Sequence, residues 1–209
     1  MGWSNIMPEK KKYTKRQLQA LETKNKIYNA AVHVINEKGY NNVSIEDITN
    51  DADVAKGSFY TYFESKEALL FYTFQRSDQV YQEAYDQIQD KAFLPTVTHF
   101  VKISYTEYEK RGKGIIKAIV ANYFSFPDYD FYGKDRILVQ CLTKIVDNGK
   151  ARGDLPQGIS TDKAVQILLT AMVGAEVMWG IETAQDEKLS DVVVEAVRVA
   201  AVGLMQIPV

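Results

Sequence analysis

The stretch at residues 44–70, SIEDITNDADVAKGSFYTYFESKEALL, decides the fold of this chain. Ser44 and Asp47 have the spacing of a capping-box variant, which predicts that a short helix begins here. The inward face of that helix consists of Ile45, Ile48 and Ala52. The small, turn-tolerant residues that follow predict a tight turn, after which a second short helix runs from Val54 to about Phe63.

The preceding segment supplies a helix that can brace these two. From Thr23 to Lys38 apolar residues recur at the spacing of one helical face, and Gly39 follows as the residue that ends the helix. The face consists of Ile27, Ala30, Ala31, Val34 and Ile35. Two short helices that meet at a tight turn and are braced by a third form a helix-turn-helix unit, whose second short helix enters the DNA major groove.

The rest of the chain also predicts helices, so the predicted fold class is all-α. Ser65 can cap a long fourth helix that continues toward Asp90. Pro95 suits the first turn of a helix that extends to about Arg111, where Gly112 breaks it. The remaining predicted helices span Ile115 to about Phe124, 130–152, 161–182 and 189–206, the last one capped by Ser190.

Composition bounds the function classes. The net charge of −2 argues against a protein that coats nucleic acid with its whole surface. Residues 1–66 nevertheless hold ten Lys or Arg against eight Asp or Glu, whereas residues 67–209 hold fifteen against nineteen. The one cysteine, Cys141, excludes an intrachain disulfide framework and fits the cytoplasm. A local anion-binding face therefore remains available in the N-terminal part.

Residues 1–19 are predicted to form a basic, flexible arm. The arm lacks the apolar core of a secretory signal. It could add phosphate contacts, reach into a minor groove, or serve as a solubilising tail. Its basic residues are Lys10, Lys11, Lys12, Lys15 and Arg16.

Residues 44–70 resemble the DNA-binding segment of the TetR family of bacterial transcriptional regulators, in which Tyr-x-Tyr-Phe precedes a Lys-Glu pair. Here these motifs are residues 60–63 and 66–67, and the resemblance covers residues 23–70. It implies an N-terminal three-helix DNA-binding domain at residues 20–66. It also implies a C-terminal helical bundle for ligand binding and dimerisation at residues 67–209.

The resemblance and the chemistry of DNA recognition together predict the contact residues. Phosphate contacts position a protein on DNA, whereas base-edge contacts specify the sequence. We expect Phe59 and Phe63 to point inward. The alternative is that the tyrosines also pack the core and the lysines are solvated surface. The predicted phosphate contacts are Lys56, Tyr60, Lys66 and the helix N-terminus at Ser44; Gly57 permits close approach, and Ser58, Thr61 and Tyr62 face the bases.

Two positions depart from the family pattern. Asp53 stands where the family usually has the glycine of the turn, and Ala55 stands where a serine or threonine often caps the recognition helix. Aspartate tolerates the left-handed backbone conformation, and its side chain could cap the helix in place of the hydroxyl. The fold is expected to survive, but the acidic group puts one phosphate contact in doubt.

The resemblance implies a homodimer in which the last two helices of each subunit form a four-helix bundle. The segment at residues 164–179 is apolar nearly all round, so it needs cover on every side, and Gly174 and Ala175 permit close helix approach. A central helix in a monomeric bundle is the alternative. The segment falls short of the roughly 18 to 20 apolar residues of a membrane span, so no membrane association is expected.

The resemblance also implies an effector site within the middle helices, where aromatic residues are frequent. The selected residues are Phe100, Tyr108, Tyr123 and Phe124, and the alternative for each ring is plain core packing. Glu107 or Asp128 could meet a cationic ligand. The effector should lower DNA affinity if it favours a form whose recognition helices no longer match successive grooves. Repression is the family's usual mode.

Other function classes find less support in the sequence. His33 and His99 are isolated, and the sequence contains no metal-ligand spacing and no Gly-rich phosphate loop, so no enzyme activity, cofactor or metal is expected. A helical interaction module that has lost operator binding is a further alternative, for which Asp53 is the hint. A constitutive regulator without a small-molecule effector is another.

Overall fold

A computed structural model of the chain describes residues 14–89, 91–123, 130, 133–181 and 187–207. Within these residues the chain forms ten α-helices and one short 3₁₀ helix, and it has no strand. The predicted all-α fold class is therefore confirmed.

The first helix, α1, spans Lys15–Lys38 and begins earlier than the apolar pattern predicts. Its N-cap is Thr14, whose side chain accepts a hydrogen bond from the Gln17 backbone while the Gln17 side chain accepts one from the Thr14 backbone. This capping box satisfies amides that the first helical turn leaves without partners. The prediction of a flexible arm over residues 1–19 is therefore wrong for residues 15–19.

The helix-turn-helix consists of α2, Ile45–Asp51, and α3, Lys56–Tyr62. The predicted capping box at Ser44 is confirmed, because the Asp47 amide donates to the Ser44 Oγ at 3.0 Å. Asp53 has the left-handed backbone conformation that the turn requires, with φ of 48°. The expected cap from Asp53 is wrong, because Ala55 is the N-cap of α3 and no side chain caps it.

The predicted long fourth helix is two helices. Helix α4 spans Lys66–Gln75, and α5 spans Ser77–Gln87. The break at Arg76 contains neither glycine nor proline. The Arg76 guanidinium lies 4.6 Å from the centre of the Tyr28 ring of α1 and donates a 3.4 Å hydrogen bond to Asn25. Contacts with a distant part of the chain therefore mark this break.

Five further helices build the C-terminal bundle: α6 Phe93–Glu109, α7 Lys113–Ala121, α8 Ile137–Arg152, α9 Thr161–Ile181 and α10 Leu189–Met205. Helix α8 begins later than the predicted residue 130. Gly153 follows its last residue as the C-cap, and the left-handed φ of 81° there suits glycine. The predicted cap of α10 is also wrong. Lys188 is the N-cap, and Ser190 lies inside the helix with its amide donating to Glu109 at 2.8 Å.

The C-terminal core forms where α10 packs against α6 and α9. Among the described residues, α9 is the one helix whose length and apolar composition would suit a membrane span. Such a composition is also typical of a helix at the centre of a bundle. Helix α9 contacts α7, α8 and α10, and it buries Leu168, Leu169 and Met172 among them.

Candidate DNA-binding and effector sites

Helix α3 is held from behind by two phenylalanine side chains. Phe59 is 0% exposed and Phe63 is 3% exposed, which confirms that both point inward. The ring of Phe63 packs against that of Tyr72 in α4, with ring centres 5.4 Å apart. Burial of two such rings fixes the orientation of a helix that is too short to be stable alone.

The opposite face of α3 is open. Gly57 and Thr61 are exposed, Tyr60 is 51% exposed, and Ser58 and Tyr62 are half-buried. A Cβ added at Gly57 would meet no atom within 4 Å, so packing within the chain does not require glycine there. The Thr61 hydroxyl donates to the Gly57 carbonyl oxygen at 3.1 Å, which leaves its methyl group and its oxygen lone pairs for other contacts.

The two lysines predicted to bind phosphate have partners inside the chain. The Lys56 Nζ lies 2.6 Å from Glu46 of α2, and this hydrogen bond raises the pKa of Lys56. The Lys66 Nζ donates to the backbone oxygens of Tyr40 and Val43, both at 2.8 Å. Lys56 thus braces α2 against α3, and Lys66 ties α4 to the 3₁₀ helix at Tyr40–Asn42.

The predicted effector residues occupy different surroundings in the C-terminal bundle. Phe100 is 0% exposed and Tyr108 is 4% exposed, while Tyr123 is half-buried. Phe124 and Asp128 lie outside the described residues. Glu107, the other acidic residue considered for a cationic ligand, forms a salt bridge with Lys110.

A buried carboxylate connects the aromatic residues and was not predicted as a site. Glu176 of α9 is 4% exposed and accepts hydrogen bonds from the hydroxyls of Tyr105 and Tyr123. Burial raises the pKa of Glu176, although both hydrogen bonds and the nearby charge of Arg136 act in the opposite direction. Burial also raises the pKa of both tyrosines, and the Glu176 charge adds to this effect.

The signal for this cluster in the sequence is one acidic residue in the most apolar helix. A buried acid with hydrogen-bonding partners is a frequent component of binding sites, although structural clusters also have this form. A groove of about 730 Å³ lies elsewhere, between α8 and α9, and is lined by Val139, Thr143, Lys144, Lys163, Gln166 and Leu169 among others. Neither Glu176 nor the predicted effector residues line this groove.

Helices α9 and α10 expose large apolar side chains. Met178 is 64% exposed, Ile181 is 67% exposed and Val199 is 66% exposed. Gly174 of α9 and Gly203 of α10 are also exposed, and a Cβ at either position would meet no atom within 4 Å. These two helices therefore present apolar surface that the described part of the single chain leaves exposed.

The fold and the outward face of α3 define the class of protein: an all-α chain with an N-terminal helix-turn-helix and a C-terminal helical bundle. Residues 27–73 match the family model described as bacterial regulatory proteins, tetR family. These residues are thus similar to the DNA-binding segment of the TetR family of bacterial regulators.

Known proteins agree with this assignment over different lengths. The HTH-type transcriptional regulator YvdT of Bacillus subtilis is 53% identical over 45 residues, which cover 22% of this chain and 23% of that protein. The match thus spans about a quarter of the relative's length. Among solved structures, the fatty acid degradation regulator FadR of Bacillus halodurans has a TM-score of 0.64 at 21% identity, covering 87% of this chain and 96% of that one.

A second solved structure is FadR of Bacillus subtilis in complex with stearoyl-CoA. It has a TM-score of 0.62 at 18% identity and covers 85% of this chain and 97% of that chain. At identities this low, the structural similarity shows a shared fold and nothing more specific.

Proposed function

We propose that this chain is a ligand-responsive DNA-binding transcriptional regulator that acts in the cytoplasm as a homodimer, most simply as a repressor. The observation that carries the proposal is the geometry of α3. Phe59 and Phe63 anchor one side of the helix, and the other side presents Gly57, Tyr60 and Thr61 to solvent. Such a helix, which is the second of a helix-turn-helix and is exposed on one face, suits the DNA major groove. An enzyme activity is not part of the proposal.

Some of the predicted residues would contact phosphates, and the others would contact bases. Tyr60 and Lys56 lie at the exposed surface of α3, and the N-terminus of α2 at Ser44 presents backbone amides. Because Lys56 is paired with Glu46, DNA binding would exchange one anionic partner for another. Thr61 would offer its methyl group to a thymine methyl. Ser58 and Tyr62 would contact neighbouring base edges.

Lys66 has a different role in this proposal. Its ammonium group is held by two backbone carbonyl oxygens, Tyr40 and Val43, and lies 4.3 Å from the centre of the Tyr40 ring. It would therefore contribute to DNA binding mainly by fixing the N-terminus of α4 and through its positive charge near the surface.

Dimerisation would use α9 and α10. Met178, Ile181 and Val199 expose apolar surface, and the exposed glycines would allow close approach of a partner helix. Two subunits could then place their α3 helices in successive major grooves, about 34 to 36 Å apart.

The effector would bind in the C-terminal bundle near Tyr105, Tyr123 and Glu176. FadR of Bacillus subtilis was solved with stearoyl-CoA, which supports a ligand site in a bundle of this fold. The surrounding rings, including Phe100 and Tyr108, favour an apolar or aromatic effector with a polar group for Glu176. Effector binding would lower DNA affinity by its differential affinity for the two forms.

Fluorescence anisotropy with labelled duplex DNA from upstream of the chain's own gene tests the proposal. The wild-type chain should bind, with an affinity that falls steeply as salt rises. Tyr60→Ala should weaken binding at least about tenfold, the loss expected when a charge-assisted phosphate contact is removed. Lys91→Ala is the matched surface control and should bind as wild type does. Equal binding by Tyr60→Ala and wild type would contradict the proposed role of α3.

A further inference from the structure

A polar cleft lies between the start of α1 and the outward face of α3. Its volume is about 340 Å³. The lining side chains include Arg16, Gln19 and Thr23 from α1 and Ser58, Thr61 and Tyr62 from α3. Ala20 also lines the cleft, and among the described residues the lining holds one cation and no carboxylate. An anion is therefore the ligand class that its charge favours.

Three other cations of the described N-terminal helices have contacts within the chain. Lys56 pairs with Glu46 at 2.6 Å, and Lys66 is held by backbone oxygens. Lys24 lies 4.0 Å from the centre of the Tyr72 ring. Arg16 differs from these lysines, because its exposed side chain has no hydrogen bond or ion pair with any described residue.

The position of Arg16 is fixed by the start of α1. The capping box of Thr14 and Gln17 starts the helix at Lys15, so Arg16 lies in the first turn of a regular helix. Gln19 follows three positions later, on the same side of the helix. The Thr23 hydroxyl donates to the Gln19 carbonyl oxygen at 2.9 Å and therefore has no hydrogen to give an anion. Among the described residues of α1 that line the cleft, Arg16 and the Gln19 amide remain as donors.

We propose that this cleft binds a backbone phosphate of the operator DNA, with Arg16 supplying the charge and Gln19 a hydrogen bond. The proposal rests on the proposed DNA-binding function and adds the first turn of α1 to the contact surface. The phosphate belongs to DNA rather than to a small molecule, because Ser58 and Thr61 line the cleft and also lie on the face of α3 that enters the groove. A groove-bound helix brings the flanking backbone to its side.

The experiment measures DNA affinity as a function of salt for wild type, Arg16→Ala, Gln19→Ala and the remote control Lys91→Ala. The probe is the duplex that the wild-type chain selects from a random-sequence library. Each neutralised phosphate contributes about 0.9 to the slope of log affinity against log salt. A dimer carries two such clefts, so Arg16→Ala should make the slope shallower by about 2 and weaken binding at least about tenfold.

The second variant separates charge from hydrogen bonding. Gln19→Ala should weaken binding a few-fold without changing the salt slope, because it removes no charge. Arg16→Lys should restore the slope but only part of the affinity, since lysine keeps the charge and loses the planar donor geometry. Thermal unfolding by circular dichroism confirms that each variant is folded.

The outcomes distinguish the two proposals. Wild-type binding with an unchanged slope for Arg16→Ala would overturn the phosphate cleft and leave the DNA-binding function intact. A slope change in Lys91→Ala as large as that in Arg16→Ala would also overturn it, because the effect would then reflect net charge alone. Selection of no duplex by the wild-type chain would overturn both proposals.

Discussion

The side-chain amide of Asn36 donates a hydrogen bond of 2.7 Å to the backbone carbonyl oxygen of Arg111. Its carbonyl oxygen accepts a second hydrogen bond, at 3.1 Å, from the Ile115 backbone amide. Asn36 lies near the end of α1, whereas Arg111 lies in the turn between α6 and α7 and Ile115 lies in the first turn of α7. One side chain therefore joins the DNA-binding unit to the C-terminal bundle, and Gly112 and Gly114 leave the space for it.

Gly114→Ala should destabilise the chain. A Cβ at this position would lie 2.7 Å from the Asn36 Cα, and a backbone atom cannot move away as a flexible side chain can. Overpacking of this kind costs about 1 to 3 kcal/mol in the free energy of unfolding, which urea denaturation would measure. An unchanged unfolding midpoint would mean that the junction between α1 and α7 has room for a methyl group at position 114.

Gly57→Ala should separate stability from DNA binding. The added methyl group meets no atom of the chain within 4 Å, and alanine favours a helix over glycine by up to about 1 kcal/mol. The free energy of unfolding should therefore stay equal or rise. DNA affinity should fall at least about tenfold if the operator backbone approaches this position closely. Anisotropy titrations measure the second effect, and unaltered affinity would exclude a close approach at Gly57.

Asp53 should limit DNA affinity through its charge. Its side chain is 99% exposed and forms a long ion pair with Lys26, whose Nζ is 3.8 Å away. Asp53→Asn keeps a residue that tolerates the positive φ of 48° and removes the negative charge. Binding should strengthen a few-fold at low salt and converge with wild type as salt screens the repulsion. Weaker binding by Asp53→Asn would instead indicate that the carboxylate contacts DNA directly.

Glu176→Gln should gain stability relative to wild type as pH rises. Burial raises the pKa of Glu176 in the folded chain, so folding favours its neutral form. This contribution is fully present below the pKa of the unfolded chain and is lost as pH rises through the folded pKa. Urea unfolding of both proteins between about pH 4 and pH 8 tests this. If the unfolding free energy of Glu176→Gln minus that of wild type fell as pH rose, the result would contradict a raised pKa for Glu176.

Val199→Glu should dissociate the dimer. Val199 is 66% exposed on α10, and a charge buried at a subunit interface without a partner costs several kcal/mol. Sedimentation velocity should report a monomer for this variant. The matched control is Leu21→Glu on α1, where the leucine is 43% exposed and the assembly should persist. A dimer that survives Val199→Glu would move the interface away from this face.

The elements predictable from sequence were those with both a cap and an apolar stripe. Ser44 with Asp47 fixed the start of α2, and Gly39 and Gly153 fixed the ends of α1 and α8, because these signals are local. The first turns of α1 carry mostly polar side chains, so the apolar pattern does not mark them. Only the pairing of Thr14 with Gln17 does so.

Features that depend on distant residues could not be predicted. Arg76, at the break between α4 and α5, contacts Tyr28 and Asn25, and the amide of Ser190, inside α10, donates to Glu109. The buried Glu176 cluster joins α9, α6 and the residues that follow α7, and its tyrosine partners are separated from Glu176 by 71 and 53 positions. Periodicity identifies the face of a helix on which a residue lies, but it does not identify the residues packed against that face.

Selection of binding sites from a random-sequence duplex library would show whether α3 reads DNA and is presented twice by a symmetric dimer. We expect enrichment of a two-fold symmetric site whose half-sites are about 10 base pairs apart, centre to centre, or a multiple of that spacing. Enrichment should disappear with Tyr60→Ala. Recovery of no sequence, or of a single asymmetric site bound equally well by Tyr60→Ala, would contradict this expectation.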